Sequence, residues 1–378
     1  MSLTRSINPM RRTATIAASV IVLWCGVGHA QMDSSVGAVD STRVDPKISG
    51  AADQPRSSKR RGLKPPEVFG FMQIHYKYSL MTGDDPLVDN DNYRVQRVRI
   101  GVKGDISEWL SYNIEIDPRA PEVTGILRDA YVDFKVIPRH DIRVGQQKTQ
   151  FGYENTESST NLYAVNRTEL SDALSRGVNL RDIGIGLMGN VKLGPKGFRF
   201  EDTITIVNGA GLNVQEDNTA RMSLWGRVGL RWKSDPENLT ARFGVSGASG
   251  DFIEPADLLL GEEKMQIKFK RLGVDVELDH PRFFISAEYV RGSDEIVETG
   301  EMNDPSGYYV NLVGKTEAQV GPIVRYDTLD DDFKRWTLGA YYGLPKKPWR
   351  LMLNYELREL RDGARQDDKF YAWTQVRY

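Results

Sequence analysis

The chain has 378 residues, 40% of them hydrophobic and 27% charged, with 50 Lys+Arg against 52 Asp+Glu. A mean hydropathy of −0.46 excludes a polytopic helical membrane protein, which needs repeated apolar runs of about 20 residues. The near-cancelling charge gives a nucleic-acid partner no electrostatic footing, and aromatic residues at 10%, spread along the chain, argue against disorder.

At the start of the chain, Arg5, Arg11 and Arg12 precede a mostly apolar run from Ala14 to Cys25. Gly28-His29-Ala30 then sets small residues at positions −3 and −1 of a cleavage before Gln31. This is the pattern of a secretory signal peptide over residues 1–30. Trp24 opposes lipoprotein processing at Cys25, and the Arg11-Arg12 pair lacks a supporting twin-arginine motif. Cleavage removes the single cysteine, so a mature chain gains stability from packing or from its solvent and not from disulfides. Residues 31–66 are rich in Ser, Asp, Gly, Pro and Lys/Arg with no aromatic residue, and read as a disordered periplasmic tail or linker. Lys59, Arg60, Arg61 and Lys64 belong either to a solvated linker or to a contact with anionic lipid or cell wall.

From Phe69 onward the hydrophobic period is two. Met72, Ile74, Tyr76, Tyr78 and Leu80 alternate with Gln73, His75, Lys77 and Ser79; Leu110, Tyr112, Ile114 and Ile116 alternate with Ser111, Asn113, Glu115 and Asp117. That is the mark of strands with one apolar and one polar face. Sixteen such segments are predicted, near 70–81, 93–104, 108–118, 125–137, 140–148, 182–193, 197–209, 219–233, 238–249, 264–278, 281–292, 307–315, 319–328, 333–344, 348–360 and 368–378. Connections after even-numbered segments are short and turn-like, as in Gly194-Pro195-Lys196-Gly197 and Asp279-His280-Pro281. Most of those after odd-numbered segments are longer. This sorting predicts an all-β fold over 67–378: a 16-stranded antiparallel transmembrane β-barrel with tight periplasmic turns, embedded in outer-membrane lipid. Phe370, Ala372, Thr374, Val376 and Tyr378 share one parity, and an aromatic last residue resembles the assembly signal of such barrels. A secreted sandwich or propeller is the competing fold.

With the apolar parity facing lipid, the other parity faces the lumen. It carries Arg97, Arg99 and Lys103 near 93–104, and Arg221, Arg227, Arg231 and Lys233 near 219–233. Arg143, Arg242, Lys268, Lys270, Arg325, Arg335, Arg350, Arg358 and Arg377 fall on lumen parity by the same rule. Many acids sit in connections, among them Asp84, Asp85, Asp89, Asp91 and Asp330 to Asp332. Two readings follow. Rings of Arg/Lys bias a pore towards anions, with guanidinium forks suited to phosphate or carboxylate. Alternatively these cations pair with lumen acids such as Asp133, Asp275, Glu277 and Glu356, leaving a weakly selective pore. The connection 149–181 is long enough to be functional; folded inward it narrows the lumen, and otherwise it is an external flap.

Several stretches carry a family resemblance: Arg97-Val98-Arg99-Ile100-Gly101-Val102-Lys103-Gly104, Asp129-Ala130-Tyr131-Val132, Arg143-Val144-Gly145-Gln146 with Phe151-Gly152-Tyr153-Glu154, Ser158-Ser159, Arg167, Arg181-Asp182-Ile183-Gly184, Gly307-Tyr308-Tyr309-Val310 and Leu353-Asn354-Tyr355. In this order the chain resembles the phosphate-selective porins O and P across nearly the whole barrel. The resemblance implies a homotrimeric porin whose third loop forms the constriction, with small anions such as phosphate as solutes. It implies a central site to which Asp129, Ser158, Ser159 and Arg167 contribute, with Arg97 or Arg99 as the strand arginine. The family's loop lysine is unmatched, Asn155 standing in its place, and Glu157 adjoins the serines.

A barrel hydrolase is the alternative class and would need Ser, His and an orienting group within reach of one another. Past the leader only His75, His140 and His280 remain, without a sequence-evident partner. No metal-ligand spacing, phosphate loop or Gly-x-Ser-x-Gly elbow occurs, so neither an enzyme nor a cofactor is expected. The expectation is passive diffusion through a water-filled outer-membrane pore.

Overall fold

A computed structural model describes residues 65–80, 91–119, 125–175, 181–214, 219–234, 238–254, 265–330, 333–345, 347–360 and 365–378. The expected leader, all of the tail but Pro65 and Pro66, and Asp84, Asp85, Asp89, Asp331 and Asp332 lie outside them.

Sixteen strands form: β1 Glu67–Leu80, β2 Asp91–Ser107, β3 Leu110–Ile116, β4 Leu127–Ile137, β5 His140–Lys148, β6 Arg181–Leu193, β7 Phe198–Val207 and β8 Ser223–Lys233. They continue as β9 Thr240–Glu254, β10 Met265–His280, β11 Phe283–Ile296, β12 Ser306–Gly314, β13 Val320–Leu329, β14 Phe333–Tyr342, β15 Trp349–Leu360 and β16 Arg365–Arg377. A two-residue bridge, Met302–Asn303, pairs with the end of β11. Each strand pairs antiparallel with its neighbours in sequence, and β1 pairs with β16 from Phe71↔Arg377 to Leu80↔Asp368. The sheet is therefore closed, with no free edge strand among the described residues. The sixteen expected segments correspond one to one with these strands. β9 runs five residues past its apolar alternation, because its ladder with β10 continues to Glu254↔Met265 through Ser249, Gly250 and Asp251.

Alternation places polar groups inside. On β1, Gln73, His75 and Ser79 are buried while Met72, Tyr78 and Leu80 are exposed. On β10, Arg271, Asp275 and Glu277 are buried against exposed Leu272, Val274 and Val276. This is inverse to a soluble core and suits a shell of lipid. Aromatic contacts mark both ends. Trp109–Phe134, Phe198–Trp232 and Tyr342–Trp349 adjoin the short connections, and Tyr76–Tyr93 and Tyr326–Trp336 the opposite rim.

The parity rule fails at one place. Lys268 and Lys270, expected to face inward, share parity with exposed Leu272 and Val274, while Ile267 and Phe269 are buried. Phe269 is buried here because it packs with Phe151, Leu170 and Leu174 of the connection between β5 and β6.

Candidate functional site

That connection is described from Thr149 to Ser175 and contains two short helices, α1 (Tyr153–Thr156) and α2 (Glu169–Leu174). Gly152 (φ 67°) begins it with a close approach: a Cβ there would stand 2.0 Å from Glu288 Oε1. This lets the Tyr153 and Glu154 amides donate to Glu288 Oε2 at 3.1 and 3.2 Å, and the Gly152 amide to Ser246 Oγ at 2.9 Å. Thr168 caps α2, accepting from the Ser171 amide at 3.2 Å, and its own amide and hydroxyl donate to Glu154 Oε2 at 2.9 and 2.7 Å.

Further contacts fix the segment to the buried-parity side of distant strands. The Val165 amide donates to Asn354 Oδ1, Asn166 Nδ2 to Glu356 and the Glu169 amide to Asp327. Arg325 donates to the Asn166 carbonyl, Arg335 to that of Arg167, and Arg350 to those of Thr160 and Leu162. Phe151, Leu170 and Leu174 bury into Val207, Trp225, Ala248, Phe269, Val290 and Tyr309. Tyr163 and Val165 join Phe284, Val313, Ile323, Tyr341, Met352, Tyr371 and Trp373. Fully burying each such side chain stabilises by about 1.5–3 kcal/mol, so apolar contact is a principal term in holding the segment.

The predicted site residues divide into two groups. Arg97 Nη1 donates to Gln73 Oε1 at 3.0 Å, and Gln73 Nε2 donates to the Ser159 carbonyl at 3.4 Å, so β1 and β2 meet the segment at its serines. Ser158 is exposed, its hydroxyl 3.0 Å from that of Thr160. Arg167 lies within electrostatic reach of Arg97 and donates to the carbonyls of Glu154 and Glu157, the latter at 2.7 Å. These residues come together. Arg99 is neutralised by Glu115 (3.1 Å) and Asp117 (3.3 Å), and Asp129 takes a two-point fork from Arg181, 3.0 Å at each oxygen. Arg221, Arg227 and Arg231 stand apart on β8 or just before it, paired with Asp251, Asp275 and Glu201. The Arg227–Asp275 pair spans β9 above Gly244, where a Cβ would meet both side chains.

Among the described residues no carboxylate lies within ion-pair distance of Arg97, Lys148 or Arg167; each is held by a neutral oxygen. Lys148 escaped the sequence reading because it is the last residue of a segment and matches no motif. Asn155, at the position of the unmatched lysine, is buried in α1 and donates to the Phe151 carbonyl. Arg325, Arg335 and Arg350 are fully buried and grip backbone carbonyls, which makes them tethers of the segment. No cluster of metal-ligand type occurs among the described residues, and none of their helices is long and apolar enough to cross a membrane, a criterion that does not apply to strands.

Residues 71–248 match the family model of the phosphate-selective porins O and P, spanning β1 to β9. The fold is a porin fold. The chain is similar to an anion-selective porin from Comamonas acidovorans, with 12% identity, a TM-score of 0.57, and coverage of 83% of this chain and 99% of that one. It is also similar to the outer-membrane channel DcaP of Acinetobacter baumannii, with 14% identity, a TM-score of 0.56, and coverage of 85% and 99%. In vitro folded OmpT of Vibrio cholerae in its trimer form gives 12% identity, a TM-score of 0.56, and coverage of 83% and 99%. No curated protein sequence matches.

Proposed function

We propose that this porin forms a passive diffusion pore for small hydrophilic solutes in an outer membrane, with an anion-preferring constriction. The segment 149–175 acts as an inward-folded third loop, narrowing the lumen against the wall of β1, β2 and β5. Solutes pass Arg97, Lys148, Arg167, Ser158 and Ser159, and small anions such as phosphate are retained there. One observation carries the reading: these three cations have neutral acceptors in place of carboxylates, while Arg99, Arg181, Arg227 and Arg231 are paired. Rings of unpaired basic groups favour anions electrostatically. Export by the signal peptide at 1–30 and assembly as a homotrimer belong to the same proposal, the latter supported by the trimeric OmpT neighbour. Transport, not catalysis, is the activity proposed; Asp129, Arg99, Arg221, Arg227 and Arg231 shape the wall through their ion pairs.

The test is planar-bilayer recording in a KCl gradient, with a reversal potential on the chloride side expected. Arg167→Ala should weaken block of chloride current by inorganic phosphate about tenfold, the loss of one charge-assisted hydrogen bond. A cation-selective channel would overturn the anion reading; a reversal potential near zero, or no conductance, would leave a non-selective or a structural barrel, the second reading, which the many paired lumen cations favour.

A further inference from the structure

We propose that Lys148 is a specificity-determining residue of this pore, the cation that a passing anion meets beside Arg167. The inference rests on the anion-preferring constriction above and names a residue that no motif of the sequence marks. Lys148 ends β5, in register with Arg181 on β6. The two cations differ in their partners. Arg181 is locked to both oxygens of Asp129 at 3.0 Å, whereas Lys148 Nζ donates to the main-chain oxygen of Glu157 at 3.1 Å. That same oxygen accepts Arg167 Nη2 at 2.7 Å. Two cationic groups therefore share one neutral acceptor, and their mutual repulsion is offset only by carboxylates beyond ion-pair distance, those of Asp129 and Glu157.

The two carboxylates that act on Lys148, those of Asp129 and Glu157, are both engaged elsewhere, Asp129 by Arg181. Glu157 Oε2 accepts Asn161 Nδ2 at 2.9 Å, and its Oε1 faces Arg242 at 3.8 Å. An ammonium group has three donors and Lys148 spends one, so two remain for a ligand. Arg167 already directs its guanidinium at the carbonyls of Glu154 and Glu157. Ser158, one residue beyond Glu157, is exposed and adds a hydroxyl. An anion seated on Lys148 and Arg167 relieves the repulsion between them, which is the condition for a site that prefers anions to neutral solutes. The ammonium is a compact point charge on a flexible stem, able to follow a solute through the constriction.

The experiment uses the full-length porin in planar bilayers, reading reversal potential and block of chloride current by inorganic phosphate. Lys148→Met should raise the half-blocking phosphate concentration about tenfold or more and move the reversal potential towards cations, and Lys148→Arg should retain most of both. A Lys148→Met channel with wild-type block and reversal potential overturns the inference and leaves the anion preference standing. A cation-selective wild-type channel overturns both together. Liposome swelling with neutral sugars reads a merely structural role. If both variants lose block while sugar permeation rises, Lys148 is a tether for the loop backbone and the inference falls.

Discussion

At the scale of single residues, neighbours decide what a charge does. Arg97 and Arg99 are two positions apart on one strand face, yet Arg99 is bound to Glu115 and Asp117 while Arg97, among the described residues, donates to the Gln73 amide oxygen. Asp172, on α2, is the acid set among the free cations. Burial pushes its carboxyl up to about 6; Arg167 and Arg335 oppose this, Glu154 and Glu169 add to it, and one oxygen has no hydrogen-bond partner. Because the folded value lies above the ordinary carboxyl value of about 4, the native state holds its proton more tightly than the unfolded chain. The group therefore costs stability progressively as pH rises from about 4 through about 6. Below that range Asp172 is neutral and leaves Arg97 and Arg167 their full charge; above it the carboxylate offsets part of that charge. Chloride preference, read as reversal potential, should accordingly be stronger at pH 5 than at pH 7.5. Asp172→Asn should hold the low-pH value at both, and an unchanged pH profile in that variant would remove Asp172 from the constriction.

Among the elements, the connection between β5 and β6 departs furthest from what periodicity expresses. Its length and lack of alternation mark it in the sequence, but its seat is not marked, because the partners are scattered from Gln73 to Trp373. Phe151 is fully buried, in contact with Trp225 at a ring-centroid distance of 5.8 Å. Phe151→Ala should cost about 3–5 kcal/mol at this seat, loosening the loop without opening the ladder. The expected result is faster liposome swelling with large neutral sugars and an unchanged mobility of the folded barrel in detergent. The same seat explains Lys268 and Lys270: Phe269 turns inward to meet the loop, so the flanking lysines turn out.

Across the whole molecule, closure and the exposed apolar band dominate. β1 is held on both sides, by β2 and by β16, so the first and last strands complete one ladder. The exposed apolar parity is uninterrupted along the middle of β10, from Leu272 through Val274 to Val276. A charge introduced on the lipid face near the midplane costs about 2–4 kcal/mol. Val274→Arg should lower folding stability in lipid vesicles by that amount, measured by denaturant titration, whereas Asn113→Arg on the opposite face of β3 should cost far less. Equal costs at the two positions would contradict the assignment of faces.

The sequence by itself determined the strand count, the closed antiparallel order and which parity is exposed. These are local properties: a strand's side chains alternate by covalent geometry, and a short turn can join only neighbours. It also marked Arg97, Ser158, Ser159 and Arg167 through a family pattern. Only the tertiary structure decided which cations are spent. Arg227 finds Asp275 across an intervening strand, Arg335 finds Asp327 and a loop carbonyl, and Lys148 finds a carbonyl where a carboxylate would have neutralised it. Ion pairing depends on which side chains strand register and the loop bring together, at chain separations from 8 residues for Arg335–Asp327 to 48 for Arg227–Asp275, so no periodicity or local motif encodes it.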